Sequence, residues 1–156
     1  IGVKDRPGVA ASIFKPLSKN SINVDMVVQN ISANGRETDL TFTIKSEDLN
    51  KTKKIIGNNK NIDFRKLLFE KGVSKISIIG VGMVTTPGVT FRMFQTLANK
   101  KINIQVISTS EIKISVLIDK KNTKKALEAL HKEFKLDKWK WALDLLEILK
   151  EEKLKL

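Results

Sequence analysis

Residues 1–28 are written a second time, without a gap, eighty positions further along. Pro7-Gly8-Val9 returns as Pro87-Gly88-Val89, Phe14 as Phe94, Leu17 as Leu97, and Ile22-Asn23 as Ile102-Asn103. Gly2 returns as Gly82. A repeat of this length means two copies of one small supersecondary unit, and two copies of whatever surface that unit presents. Units of roughly 70–80 residues sit near the lower limit for a self-sufficient core. They are therefore expected to pack on each other or on another chain. The sequence opens at Ile1, three residues before its first polar turn, and reads as though cut within a strand.

The order of elements follows from periodicity. Ile1–Val3 reads as a strand stub. Pro7–Lys19 reads as a helix whose Val9, Ile13, Phe14 and Leu17 form one apolar stripe. Asp5 stands where an N-cap belongs, with Pro7 in the first turn. Pro16 should kink or shorten that helix by removing a backbone bond. Ile22–Asn30 and Asp39–Lys45 read as strands joined through an Asn34-Gly35 turn. A helix at Glu47–Gly57 and a strand at Phe64–Phe69 complete the first copy. The second copy gives a strand at Ser74–Met83, a helix at Pro87–Lys100, strands at Ile102–Ser110 and Ile112–Asp119, and a helix at Asn122–Phe134.

Each copy is thus a β-α-β-β-α-β unit, the ferredoxin-like arrangement of the α+β class, with helices on one face of an antiparallel sheet. Domains are expected at 1–72 and 73–137. A Lys/Leu/Trp-rich helical tail at 138–156 follows, able to cover a core or pair with another chain. The second sheet lacks its fourth strand and must do without it or borrow one from upstream.

Composition excludes several functions. There is no cysteine and a single histidine, His131, so disulfides, thiolate sites and a zinc centre are not expected. No apolar run approaches the roughly 18 residues of a membrane span, and no signal-peptide pattern opens the chain, which reads as soluble and cytoplasmic. The net charge of +12 points toward nucleic acid. However, only Arg6, Arg36, Arg65 and Arg92 carry the guanidinium fork suited to phosphate, and the lysines are dispersed among acids. Base-stacking aromatics are limited to Phe42, Phe64 and Phe69 on the strands. A basic nucleic-acid-binding module on this scaffold is kept as the alternative function.

No catalytic constellation can be assembled. Gly80-Val81-Gly82 hints at a dinucleotide loop, but Thr85 stands where the third glycine belongs and no parallel βαβ context exists. The Pro-Gly turns carry more chemistry. A glycine at a helix start lets backbone N–H groups approach a carboxylate, and the helix dipole favours it. Asp5 or Asp25 beside such a turn suits an ammonium group. By itself the motif reads first as a plain helix start with a capping acid, ahead of a ligand site, and Asn23 and Asn103 are equally open to ordinary turn roles.

Taken together, DRPGVAASIF, INVDMVVQNIS, TDLTFTI, KISIIGVGM, TPGVTFRMF, INIQVISTSEIKISVLID and ALEALHKEF closely resemble the paired ACT domains of aspartate kinase, over about residues 1–137. The resemblance implies the regulatory region, or separate regulatory subunit, of an ATP-dependent kinase acting on the aspartate side-chain carboxylate. It implies sensing of threonine, lysine or both at ACT–ACT interfaces of a homodimer, with feedback inhibition of that pathway. A kinase domain or catalytic subunit is the implied partner. ATP and magnesium would belong to it, leaving no cofactor, and no catalysis, in this chain alone. An upstream segment of the family would supply the missing strand of the second sheet.

The resemblance assigns effector positions to Asp5, Gly8 and Ala10 at the first turn and helix start, to Asn23, Val24 and Asp25 on the strand, and to Gln29. It assigns Asn103, Ile104 and Ser110 to the other wall of the site, from a partner subunit, and Ser32 to feedback control. Pro16, Thr86 and the tail depart from the family pattern. The first copy has Asp5, Asp25 and Gln29 where the second has Thr85, Gln105 and Thr109. The first is therefore expected to grip an ammonium group, and the second to offer backbone and hydroxyl contacts.

Overall fold

Both Pro-Gly turns start a helix of eleven residues, α1 (Val9–Lys19) in the first copy and α3 (Val89–Asn99) in the second. The computed structural model describes residues 1–31, 37–83 and 85–136. Ser32, the Asn34-Gly35 turn and the 138–156 tail lie outside them. In both helices the N-cap is the glycine, with φ 86° at Gly8 and φ 88° at Gly88, and no side chain caps either helix. This corrects the expectation for Asp5. A left-handed glycine turns the chain so sharply that the helix begins after it, leaving Asp5 and Pro7 in the preceding turn. Pro16 does not shorten α1, which matches α3 in length although α3 has Thr96 at that position. It sits in the last turn, where Asn20 Nδ2 donates to its carbonyl at 2.9 Å.

The helix ends repeat as closely as the starts. Ser21 and Lys101 both adopt φ 57°, left-handed and non-glycine. Ile22 N–H returns to the Leu17 carbonyl at 3.0 Å, and Ser21 N–H to Ser18 at 3.0 Å. In the second copy Ile102 N–H reaches Leu97 at 3.0 Å, and Lys101 N–H reaches Ala98 at 2.8 Å. These paired bonds are a Schellman closure with its accompanying apolar contact, here Leu17 with Ile22 and Leu97 with Ile102, all buried.

The chain divides between Lys71 and Gly72. In the first unit β1 (Val3–Lys4), β2 (Val24–Ile31) and β3 (Glu37–Ile44) form an antiparallel sheet in the order β1-β3-β2. A 3-10 turn leads into α2 (Leu49–Gly57). Val9, Ile13 and Leu17 from α1, Leu40, Phe42 and Ile44 from β3, and Leu49 and Ile56 from α2 make one core. Phe14 meets Phe42 edge-on, with ring centroids 5.2 Å apart. In the second unit β4 (Val73–Ile79), β5 (Val106–Thr109) and β6 (Lys113–Asp119) are ordered β4-β6-β5. α3 and α4 (Thr123–Glu133) cover them, through Met93, Leu97, Ala126 and Leu130. Arg92 holds the two helices together. Its Nε donates to Glu133 Oε1 at 2.8 Å and its guanidinium lies 4.7 Å from the Phe134 ring centre.

Each described unit is thus β-α-β-β-α with three strands. The expected strand at Phe64–Phe69 does not form a ladder, and only Glu70 makes an isolated bridge. Its backbone is engaged elsewhere, since Arg65 and Lys66 N–H groups donate to the Ile1 carbonyl at 3.0 and 3.2 Å. β4 stops at Ile79 instead of Met83, because Val81–Met83 winds into a 3-10 turn before the Pro-Gly corner. No helix of the described residues is long and apolar enough to cross a membrane.

Replacing Ser21 or Lys101 by glycine removes a left-handed strain that a side chain pays at each helix end. Either change is expected to raise stability by about 0.5 kcal/mol, read from urea unfolding midpoints. A loss of stability at both positions would contradict the closure described here.

Candidate functional site

The helix starts are built from backbone alone. In α1 the first full helical bond runs from Ser12 N–H to the Gly8 carbonyl at 2.9 Å, while Val9 N–H closes the turn to the Arg6 carbonyl at 3.2 Å. The N–H groups of Ala10 and Ala11 therefore have no backbone partner among the described residues, as a helix start requires. A Cβ built on Gly8 or Gly88 meets nothing within 4 Å. These glycines are needed for their dihedral angle, and open space lies before each. No acidic side chain occupies the first turn of either helix. Each start thus presents uncapped donors and a positive dipole end to whatever approaches.

Strand register decides which predicted residues stand near that start. Val3 pairs with Thr38 and Lys4 with Glu37, so β1 delivers the chain to α1 at the Glu37 end of the sheet. Ile31 also pairs with Thr38, and Gln29 with Leu40. Asp5, Gly8, Ala10 and Gln29 therefore gather toward one end. Val24 pairs with Ile44 at the opposite end, roughly 20 Å away along the strand, and Asn23 and Asp25 flank it. Within one unit the structure does not bring Asn23, Val24 and Asp25 to the helix start. The second unit repeats this separation. Ile79 pairs with Lys113, and Ser110 N–H donates to the Lys113 carbonyl at 2.7 Å, placing Ser110 at the Gly88 end. Asn103 and Ile104 precede β5 at the other end.

The far end of each sheet holds a feature that strand alternation did not reveal. Val24 and Val27 are three residues apart, yet both pair with residues of the core-facing row, Ile44 and Phe42. An odd separation puts side chains on opposite faces of a regular strand. The first unit resolves this with a β-bulge, in which Asp25 and Met26 together oppose Thr43. Met26 N–H donates to the buried Thr43 Oγ1 at 3.0 Å, and Asp25 is turned out to solvent.

The second unit has the same apolar spacing, Ile104 and Ile107, and solves it differently. Ile104 packs against the core from outside the ladder, and β5 begins only at Val106. This is why the strand expected from Ile102 starts late. The backbone of Asn103 and Ile104 thereby lies outside any described ladder. Gln105, at the position Asp25 holds in the first copy, donates its N–H to Leu117 at 2.8 Å. Its buried amide oxygen has no partner among the described residues. The three-residue apolar spacing was the sequence signal for both features.

Exposure separates the candidates further. Asp5, Gly8, Asn23, Asp25, Gln29, Asn103 and Ser110 are exposed, while Ala10, Val24 and Ile104 are half-buried. A Gly8→Ala variant keeps the space but not the dihedral angle. It is expected to cost about 1 kcal/mol in urea unfolding, and Gly8→Asn less, because asparagine tolerates the left-handed region. Equal losses for both variants would show that space, not conformation, selects glycine.

The ACT domain family matches this chain twice, at residues 1–59 and 76–134. An aspartate kinase of Pseudomonas fluorescens (strain SBW25) is 47% identical over 137 residues, covering 87% of this chain and 33% of its own length. The regulatory subunit of aspartate kinase from Thermus thermophilus, in its ligand-free form, superposes with a TM-score of 0.75 at 35% identity. That match covers 86% of this chain and 89% of the Thermus chain. A crystal structure of aspartokinase alpha and beta subunits gives a TM-score of 0.71 at 41% identity, covering 86% and 88% of the two chains. The present chain spans about a third of the length of the curated relatives it matches.

Proposed function

The chain belongs to the ACT-domain family, as a tandem pair of the aspartate kinase regulatory type, and we propose that it is an amino-acid sensor controlling an aspartate kinase. The single observation that carries this reading is the α1 start. It is a left-handed glycine in open space, with unpartnered Ala10 and Ala11 N–H groups and with Asp5 and Gln29 at the same end of the sheet. A free amino acid presents a carboxylate and an ammonium on one carbon. The helix start takes the first and Asp5 the second, while Gln29 reads what remains.

One unit leaves that site open on a side. Asn103 and Ile104 of a second copy close it with backbone groups that no described ladder uses, and this makes effector binding and dimerisation one event. Asn23, Val24 and Asp25 are the first-copy counterparts of Asn103, Ile104 and Gln105. They serve as the corresponding wall toward a neighbouring unit. Ser110, at the Gly88 end, belongs to the surroundings of the second helix start. Threonine and lysine are the effectors proposed, and a kinase domain or catalytic subunit is the recipient of the signal. The effector acts only through its differential affinity for two assemblies, and a coupling of about 1–3 kcal/mol is the usual scale.

Titration calorimetry with threonine and with lysine tests the reading, and at least one should bind to the folded dimer. The sheet register sharpens the mutational test. Asp5→Asn is expected to weaken effector binding by roughly tenfold or more, with unfolding stability unchanged within about 0.5 kcal/mol. Asp25→Asn should weaken it less. The opposite ranking would move the ammonium to the bulge end, and absence of binding by both amino acids would sink the sensor reading for this chain.

A further inference from the structure

The chain carries one helix corner twice, with its charge changed between the copies. In each unit the end of the first helix lies beside the start of the second. The first unit shows this directly, since Lys51 of α2 donates its Nζ to the carbonyl of Asn20, the residue that follows α1. In the second unit Arg92 ties the start of α3 to Glu133 at the end of α4. Both helices have eleven residues, so the end of α3 stands beside the start of α4. That start is fixed against β4. Lys120 N–H donates to the Gly72 carbonyl and Thr123 Oγ1 to Ser74 Oγ, each at 2.7 Å.

The two corners correspond residue by residue. Phe42 and Ile44 in β3 stand where Val116 and Ile118 stand in β6, so the 3-10 turn Ser46–Asp48 matches Lys120–Asn122. Ser46-Glu47 therefore occupies the place of Lys120-Lys121, Asn50 that of Lys124, and Asn20-Ser21 that of Lys100-Lys101. All five lysines are exposed. Glu47 and Asp48 give the first corner the negative charge that a helix start favours. The first turn of α4 holds no acid, and Lys120, Lys121 and Lys124 crowd its positive end. They oppose the dipole. Asp119 lies 2.8 Å from Lys121 Nζ and Glu128 4.0 Å from Lys124 Nζ, but these pairs face solvent, where an ion pair contributes little. The fold has no need of lysines here, because the first copy closes the same corner without them.

We propose that this corner of the second unit is a docking surface for an acidic polypeptide segment. Carboxylates laid across it meet the lysines and the positive end of α4 together, and so relieve the local conflict that the lysines create. The basic groups are all lysines, whose mobile ammonium groups pair with carboxylates without the guanidinium fork that phosphate recognition favours. The exposed ring of this unit, Phe91, lies at the opposite end of α3, away from any strand of bases held at the corner. Packed helices lie about 8–10 Å apart, so an extended segment of about six residues, at about 3.3 Å each, reaches across both helix ends. The surface shares no residue with the proposed effector site, and its occupancy is read without any amino-acid effector.

The test uses the whole chain and a fluorescein-labelled octaglutamate peptide, followed by anisotropy at low salt, with unlabelled octaglutamate and octauridylate as competitors. One variant carries the first corner's residues, Lys120→Ser with Lys121→Glu. Its control removes equal charge elsewhere, Lys15→Ser with Lys60→Glu, at exposed positions of the first unit. A third variant, Ser46→Lys with Glu47→Lys, writes the basic corner into the first unit. The parent chain should bind the peptide, the first variant about tenfold more weakly, and the control within about twofold of the parent. The third variant should bind a second peptide, and added salt should weaken binding throughout. Equal losses in the first variant and its control would overturn the proposal. So would an unchanged stoichiometry in the folded third variant, absence of binding by the parent chain, or displacement of the peptide by less octauridylate than octaglutamate.

Discussion

The return of Ile22 N–H to the Leu17 carbonyl, with both side chains buried, is the constraint on which the rest of each unit hangs. It ends the helix, reverses the chain and sets the distance at which the next strand enters the sheet. The second copy repeats it at Ile102 and Leu97 with the same 3.0 Å bond, and with the same left-handed residue between. Leu17 and Leu97 are each fully buried, so truncating either to alanine belongs in the class of core losses of about 2–5 kcal/mol. Such a position tolerates little change, whereas the exposed polar residues around it are free to differ. That contrast explains why Leu17 and Ile22 recur while Asp5, Asp25 and Gln29 do not.

The helices were the most legible part of the sequence. Their apolar stripes at Val9, Ile13 and Leu17, and at Met93 and Leu97, carry an unambiguous period, and the Pro-Gly pair marks their beginning. An acid before a proline looks like a cap in the sequence, whereas the left-handed Gly8 makes any side-chain cap unnecessary. Strand positions were less legible. Val24 and Val27 on one layer contradict simple alternation, and nothing local says whether a bulge or a delayed strand absorbs the mismatch. The Phe64–Phe69 segment has strand-like composition, but its backbone partners lie sixty residues away at Ile1. The residues of the proposed site were visible as types in the sequence. Their division between two ends of the sheet was not, because it depends on pairing register.

That division bears on how binding is transmitted. A ligand held by one unit alone stabilises that unit and changes nothing else. A ligand that needs the helix start of one unit and the strand entry of another is bound only while the two are together. The free energy of binding is then shared with the free energy of association, and linkage makes each strengthen the other. The backbone at Asn103 and Ile104, outside any described ladder, is suited to this, because backbone polar groups not used in a ladder need partners from elsewhere.

The two solutions to one apolar spacing, a bulge at Asp25–Met26 and a late strand start at Val106, have an evolutionary consequence. Each accommodates the same three-residue apolar spacing while presenting a different outer surface, and the helix closure beside it is the same in both units. A duplicated unit of this kind can change its recognition surface in one copy while the other preserves the older contacts. Selection can retune specificity by small surface substitutions on a frame that the core holds constant, which is how one scaffold comes to serve many ligands.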